Sequence, residues 1–193
     1  MEPTQDALEI LQNSLRDAPI IWKGDYPYFI HPISDGIPRM DPLVLSATRD
    51  LIVDMIDWSE VDLIVSVEAM GLPLLAAVGE ATGKPTVVIR KRSYGMKGEV
   101  KVSLSTGYSK SQAFINDIKK GERIVVVDDV ISTGGTIEPI LETIEKMGAI
   151  IHAVIVAIEK GDGRARLSIE RPDWPIMTLA RIEIVDGKVE VLR

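Results

Sequence analysis

Asp128 and Asp129 stand side by side at the end of the apolar run RIVVV, and two residues further on comes the stretch Ser132, Thr133, Gly134, Gly135, Thr136. A loop of small and hydroxyl residues that runs straight into a helix leaves unpaired backbone N–H groups at the positive end of a helix dipole, and such a place holds phosphate. The loop has no lysine, so it is not the GxxxxGK[ST] nucleotide loop. Acids beside such a cradle would repel a bare phosphate. Their natural partners are sugar hydroxyls, or a Mg²⁺ ion carried with the ligand. A ligand with a terminal phosphate, a ribose and a metal-bound second anion meets all of these demands. Aspartate is also a favoured helix cap, so the motif by itself leaves open a flavodoxin-like sheet whose strand-end acids only cap a helix.

The elements around the motif must bring it to one edge of a sheet. DLIVSV (62–67), TVVIR (86–90), RIVVVD (123–128) and IIHAVIVAIE (150–159) are apolar throughout, and helical patterns at 42–57, 72–83 and 137–148 alternate with them. Strands without polar alternation, separated by helices, predict an α/β fold with a mostly parallel sheet covered on both faces. Ligands of such sheets lie beyond the carboxyl ends of the strands, where Asp128 and Asp129 fall. Residues 1–19 read as an amphipathic helix with Leu8, Leu11 and Leu15 on one stripe. Residues 18–45 are loop-rich and carry Trp22, Tyr26, Tyr28 and Phe29; the four aromatics are expected to pack rather than to stack on a ligand. The segment 91–111 is polar and basic with a β-ribbon inside it, and the C-terminus reads as a strand and a hairpin turned at Asp186 and Gly187.

At 193 residues the chain is expected to form one domain. It has no cysteine and only His31 and His152, both taken as structural, so any metal must be held by carboxylates. A net charge of −7 opposes a protein that grips the phosphate backbone of DNA or RNA. No signal peptide is visible and no apolar run is long enough to span a bilayer, so a cytoplasmic location without a membrane partner is expected.

The double acid followed by ISTGGT resembles the phosphoribosyl pyrophosphate (PRPP) signature of type I phosphoribosyltransferases. IVSVEAMGLPLLAAVGEATGKPTVVIRKR is similar to the purine members, and AIEKGDGRARL with LARIEIVDGKV looks like the xanthine phosphoribosyltransferase end. The whole chain most resembles the archaeal hypoxanthine/guanine phosphoribosyltransferase group. The resemblance implies the type I fold, a single domain over 1–193 with a small hood from about 18–45 and the C-terminal tail, and a mobile flap at about 91–111. It implies that Asp128 and Asp129 hold the ribose hydroxyls and Mg²⁺, with the metal reached through water and PRPP. Ser132, Thr133, Gly134, Gly135 and Thr136 would bind the 5-phosphate. Pyrophosphate would fall to Glu68, Ala69, Met70 and Gly71 through backbone amides, with Arg90, Lys91 and Arg92. Lys160 would donate to O6 of a 6-oxopurine, favouring hypoxanthine or guanine over adenine, and a homodimer is expected.

Two positions depart from the family. Ser132 stands where eukaryotic-type hypoxanthine/guanine enzymes carry an aspartate near N7, and Ser105, with Gly107 in register, stands where adenine enzymes carry a flap glutamate. No general base is therefore assigned, and the proton goes to water or to Asp129. Two other readings are an adenine enzyme, which Lys160 disfavours, and a PRPP-sensing transcription regulator. The regulator needs a helix-turn-helix domain or a basic face. The roughly twenty residues ahead of the hood are too few for the first, and the net charge opposes the second. An orotate or uracil enzyme is disfavoured by the EAMG loop and the EK tail.

Overall fold

The computed structural model describes residues 3–24, 26–106 and 109–192. Helix α1 (Pro3–Arg16) buries Leu11 and Leu15 completely, as its apolar stripe requires. Strands β1 (Ile20–Lys23) and β2 (Tyr26–Phe29) pair antiparallel, Ile20 opposite Phe29, as a separate two-stranded sheet. One helical turn, α2 (Pro32–Asp35), follows, and then α3 (Pro42–Val53). The start of α3 is fixed by Asp41, whose carboxylate accepts from the Leu43 N–H at 2.8 Å, and by proline at the first position. A 3-10 turn at Trp58–Glu60 closes the segment, so the helix expected over 42–57 stops at Val53.

Next come β3 (Leu63–Val67), α4 (Gly71–Thr82) and β4 (Thr86–Ile89), then the ribbon β5 (Val100–Thr106) with β6 (Ser109–Ile115). The chain continues through β7 (Arg123–Ile131), α5 (Ile137–Lys146), β8 (Ile150–Lys160), α6 (Gly163–Glu170), β9 (Ile176–Val185) and β10 (Lys188–Leu192). The central sheet has the order β10-β9-β8-β7-β3-β4, parallel except for the β9–β10 hairpin. That hairpin turns at Asp186 and Gly187, both at positive φ, where the sequence places it.

Each face of the sheet has its own core. Val125 and Val127 of β7 join Leu11, Leu15, Ile52 and Leu74 from α1, α3 and α4. Ile124 and Val126 point the other way, toward Ile140, Leu141 and Ile144 of α5. Helix α5 places Ile137, Ile140, Leu141 and Ile144 on one stripe, all buried, and each such side chain contributes about 1.5–3 kcal/mol. The β5–β6 ribbon also feeds this core through Val102, Leu104, Ala113 and Ile115. Its base is thus packed against the body.

Strand β7 does not end on the acid pair as expected; it runs on to Ile131. The β-branched Val130 and Ile131 hold the extended backbone, and pairing with β8 continues as Val130 with Ile158 and Ile131 with Glu159. Among the described residues no helix is long and apolar enough to cross a membrane.

Candidate active site

The carboxyl ends of β3, β7 and β8 converge on the acid pair. Asp128 is buried, and its Oδ1 accepts from the Asp129 N–H at 3.1 Å. Burial raises the proton affinity of Asp128, which the nearby charge of Lys91 partly offsets. Asp129, half-buried, is raised by burial and then by the charge of Asp128. Among the described residues no cation forms an ion pair with either carboxylate. Adjacent hard oxygens lacking a protein cation suit Mg²⁺, yet no cluster of three or more possible metal ligands exists among the described residues. The pair fits a metal whose remaining ligands are water and substrate oxygens. Gly71, the first residue of α4, is essential to this packing: a Cβ there would lie 1.9 Å from Ser66 Oγ and 2.9 Å from Asp128 Oδ1.

Beyond β7 the loop 132–136 turns into α5 with Gly134 at φ 84°. Thr136 makes no side-chain cap to α5, so backbone N–H groups at the helix start are left to a ligand. The loop rests on α6. The Gly163 N–H donates to Ser132 O at 2.7 Å. A Cβ on Gly163 would lie 2.3 Å from that oxygen and 2.7 Å from Gly134 N. Arg166 Nη2 donates to Thr133 O at 3.1 Å and to Glu138 Oε2 at 2.7 Å, tying loop, α5 and α6 together. Neither Gly163 nor Arg166 carries a sequence signal that separates it from an ordinary helix start.

On the other side of Asp128 lies the 68–71 loop, whose Glu68–Ala69 peptide is cis. Glu68 Oε2 accepts from the Lys91 N–H at 2.9 Å and pairs with Arg90 Nε at 3.3 Å. The Glu68 carboxylate therefore holds the cationic segment in place; it is not itself turned to an anion. Arg90 and Arg92 both donate to the Tyr94 hydroxyl, at 3.1 Å from Arg90 Nη2 and 2.9 Å from Arg92 Nη2. The Arg92 hydrogen bond holds that phenol below its usual range. Tyr94 is a site-neighbouring residue that the sequence analysis did not single out. Ser105 sits in β5 opposite Lys110, and Gly107 lies outside the described residues.

Asp129, Val130, Ser132 and Lys160 line a cleft of about 180 Å³ together with Tyr26, Tyr28, Phe29, Ser34 and Asp35 from the N-terminal segment. Lys160 Nζ donates to Tyr26 Oη and to Pro27 O, both at 3.0 Å, and lies 4.5 Å from the centre of the Tyr26 ring. The expectation that the four aromatics Trp22, Tyr26, Tyr28 and Phe29 pack needs correction for three of them, since of the four only Phe29 is buried. Tyr26 and Tyr28 are each 40% exposed, meet edge to face at 5.4 Å, and border the cleft. Phe29 is buried in the core while its ring also approaches Lys160 at 5.6 Å. Trp22 is exposed and is not part of the cleft. The reason lies in β2, where Pro27 and a short, half-exposed hairpin leave aromatic faces uncovered.

His31 is structural. It is buried and pushed down to about 4 by that burial, so it is neutral at physiological pH. Its Nδ1 accepts from the Ile33 N–H, which leaves the Nε2 proton to donate to Ser14 Oγ at 3.1 Å. The ring thus pins α2 to α1.

The chain is similar to known proteins over nearly its whole length. A protein of Methanocaldococcus infernus named hypoxanthine/guanine phosphoribosyltransferase is 46% identical over 94% of this chain and 98% of its own length. One of the same name from Aciduliprofundum boonei is 47% identical over 96% of this chain and 100% of its own. Among solved structures, the adenine phosphoribosyltransferase of Thermoanaerobacter pseudethanolicus superposes with a TM-score of 0.75 at 24% identity, over 90% of this chain and 99% of that one; this likeness bears on the fold alone. The family model described as the phosphoribosyl transferase domain matches residues 41–178, which span β3 through β8 with the acid pair and the loop after it, and the chain belongs to the phosphoribosyltransferases.

Proposed function

We propose that this enzyme works in purine salvage, transferring the 5-phosphoribosyl group of PRPP to hypoxanthine or guanine to give IMP or GMP and pyrophosphate. The observation that carries the base assignment is Lys160, an ammonium presented in an aromatic cleft beside Asp129 and Ser132. A donor there matches O6 of a 6-oxopurine, whereas the 6-amino group of adenine would meet it donor to donor and stay unpaired. The names of the archaeal relatives agree with this reading.

In the reaction the C1–O bond to pyrophosphate breaks, a bond forms from C1 to a purine nitrogen, and that nitrogen loses a proton. The 132–136 loop and the start of α5 hold the 5-phosphate. The backbone of 68–71, with Arg90, Lys91 and Arg92, receives the departing pyrophosphate, and Glu68 keeps Arg90 and Lys91 in place. Asp128 and Asp129 accept from the ribose hydroxyls and are the residues that would hold Mg²⁺ when it is carried in with PRPP. When bound, that ion supplies charge neutralisation for the leaving group. Asp129 borders the base cleft with a raised proton affinity and can take the proton. The hood is the β1–β2 hairpin with α2. The 91–111 segment closes over PRPP and excludes water, and Val102, Leu104, Ala113 and Ile115 pack the ribbon of β5 and β6 onto the body. We place the enzyme in the cytoplasm as a homodimer acting on two small molecules, with neither nucleic acid nor membrane as partner.

Pyrophosphate release is to be measured with PRPP and Mg²⁺ against hypoxanthine, guanine, xanthine and adenine in parallel. Turnover with hypoxanthine and guanine is expected. Turnover with adenine alone would overturn the base assignment, and silence with all four would overturn the proposal as a whole.

A further inference from the structure

The cleft that Lys160 lines holds another charged group, and its chemistry is opposite. Asp35 borders the same cleft on the hood side. Its Oδ2 accepts from the His31 N–H at 3.1 Å and from Ser34 Oγ at 2.7 Å. Among the described residues nothing hydrogen-bonds to Oδ1. One oxygen of the carboxylate is therefore spent on holding the turn, and the other is left as an acceptor on a cleft-lining residue.

The support of Asp35 is rigid for so short an element. Helix α2 is capped at one end by His31 and at the other by Gly36, at φ 70°. His31 is tied to α1 through Ser14, and the Met70 side chain packs under Gly36, with its Cε 3.3 Å from where a Cβ would stand. A carboxylate fixed in this way selects by geometry.

On a 6-oxopurine O6, N1–H and the C2 substituent follow one another along one edge. A cleft with one donor and one acceptor matches the acceptor at O6 and the donor at N1, and guanine adds a second donor at C2. Adenine reverses both of the first two. Xanthine keeps them but offers an oxygen at C2, and it also sheds a proton more readily. Asp35 and Asp129 set two carboxylates against the single ammonium of Lys160 in this cleft, and the charge of Asp35 is felt at Asp129. An anionic base is opposed there.

We propose that Asp35 is the specificity-determining acceptor of the base site: it takes the N1 proton, and the C2 amino group of guanine, and rejects purines with oxygen at C2. This rests on the purine assignment made above. A site that pairs a substrate N–H with a fixed acceptor discriminates strongly, because the mismatched base leaves buried polar groups unpaired.

The test compares kcat/KM for guanine, hypoxanthine and xanthine between the parent enzyme and Asp35→Asn, with PRPP saturating. The parent is expected to prefer guanine to xanthine by at least about 10²-fold. In Asp35→Asn that ratio should fall at least tenfold, with KM for PRPP unchanged. Failure of the parent with all three bases would remove the assignment on which the inference rests. Parent turnover of guanine with an unchanged ratio in the variant would remove only the role of Asp35. Should Asp35→Asn fail to fold, as judged by circular dichroism, the parent decides alone: xanthine used within tenfold of guanine overturns the proposal.

Discussion

Gly163→Ala tests the phosphate loop without touching a group that contacts substrate. The added methyl would stand 2.3 Å from Ser132 O, where ordinary contact begins at 3.4 Å, so loop or helix must retreat by about 1 Å. The neighbours are backbone atoms of Ser132, Thr133 and Gly134, which cannot swing aside as a side chain would. The Gly163 N–H bond to Ser132 O, 2.7 Å long, is lost with the shift. A displacement of that size at a binding loop lowers kcat/KM by about 10²-fold, while the overpacking itself lowers stability by about 1–3 kcal/mol. The assay is kcat/KM for PRPP at saturating guanine, alongside thermal melting. Gly187→Ala, in the distant β9–β10 turn with nothing within 4 Å of its Cβ but at φ 71°, is the control. It should lower stability and leave kcat/KM alone. If Gly163→Ala retains kcat/KM for PRPP within about threefold, the loop is not seated on α6 in the way argued.

Asp128→Asn and Asp129→Asn should each lower turnover by more than about 10²-fold, since each removes a ligand from the reacting centre; near-normal turnover in either would remove the ribose and metal role. The same pair sets a pH dependence of stability in the ligand-free protein. Burial raises both carboxyls, and the charge of Asp128 raises Asp129 further, so the folded chain keeps protons that the unfolded chain releases, and stability falls as pH rises above about 4. Asp129→Asn should therefore melt above the parent at pH 8, with the gap closing toward pH 4; a variant that melts lower at pH 8 would contradict the buried repulsion. Lys160→Met should lower hypoxanthine and guanine turnover about 10–100-fold and leave adenine little changed, read from kcat/KM for each base. Arg166→Ala removes the tie from Thr133 O to Glu138. A loss of about 1 kcal/mol, or about 3 °C in melting temperature, and a several-fold rise in KM for PRPP are expected. An unchanged KM would mean that the loop keeps its shape unaided.

What could be read from the chain was what lies close together along it. The strands β3, β7 and β8 each carry an apolar run, and the acid pair with its loop is contiguous, so spacing alone places both at one sheet edge. The hood was legible only as a proline- and aromatic-rich segment. Its hairpin has strands of four residues each, one interrupted by Pro27, with no clear alternation to set a period. Helix α6 gave no signal because it buries only Gly163 and Leu167, too little for an apolar stripe. Tyr26 and Asp35 became site residues through contacts with β8 and β7, more than 90 residues away, and no local pattern encodes that. For Glu68 the sequence pointed to the backbone amide, and the role of the side chain was not legible. Its place beside the cations is legible, but its salt bridge to Arg90 appears only once β3 and β4 lie side by side.

Lys160 has two hydrogen-bond acceptors within the protein, the Tyr26 hydroxyl and the Pro27 carbonyl, both on the hairpin of β1 and β2. An incoming base thus enters an exchange: its O6 must replace partners that the ammonium already has. Affinity gained from that contact is small, since bonds are swapped and not created. Discrimination is large, because a base with no acceptor at that position offers the ammonium nothing in exchange for the two hairpin oxygens it already holds.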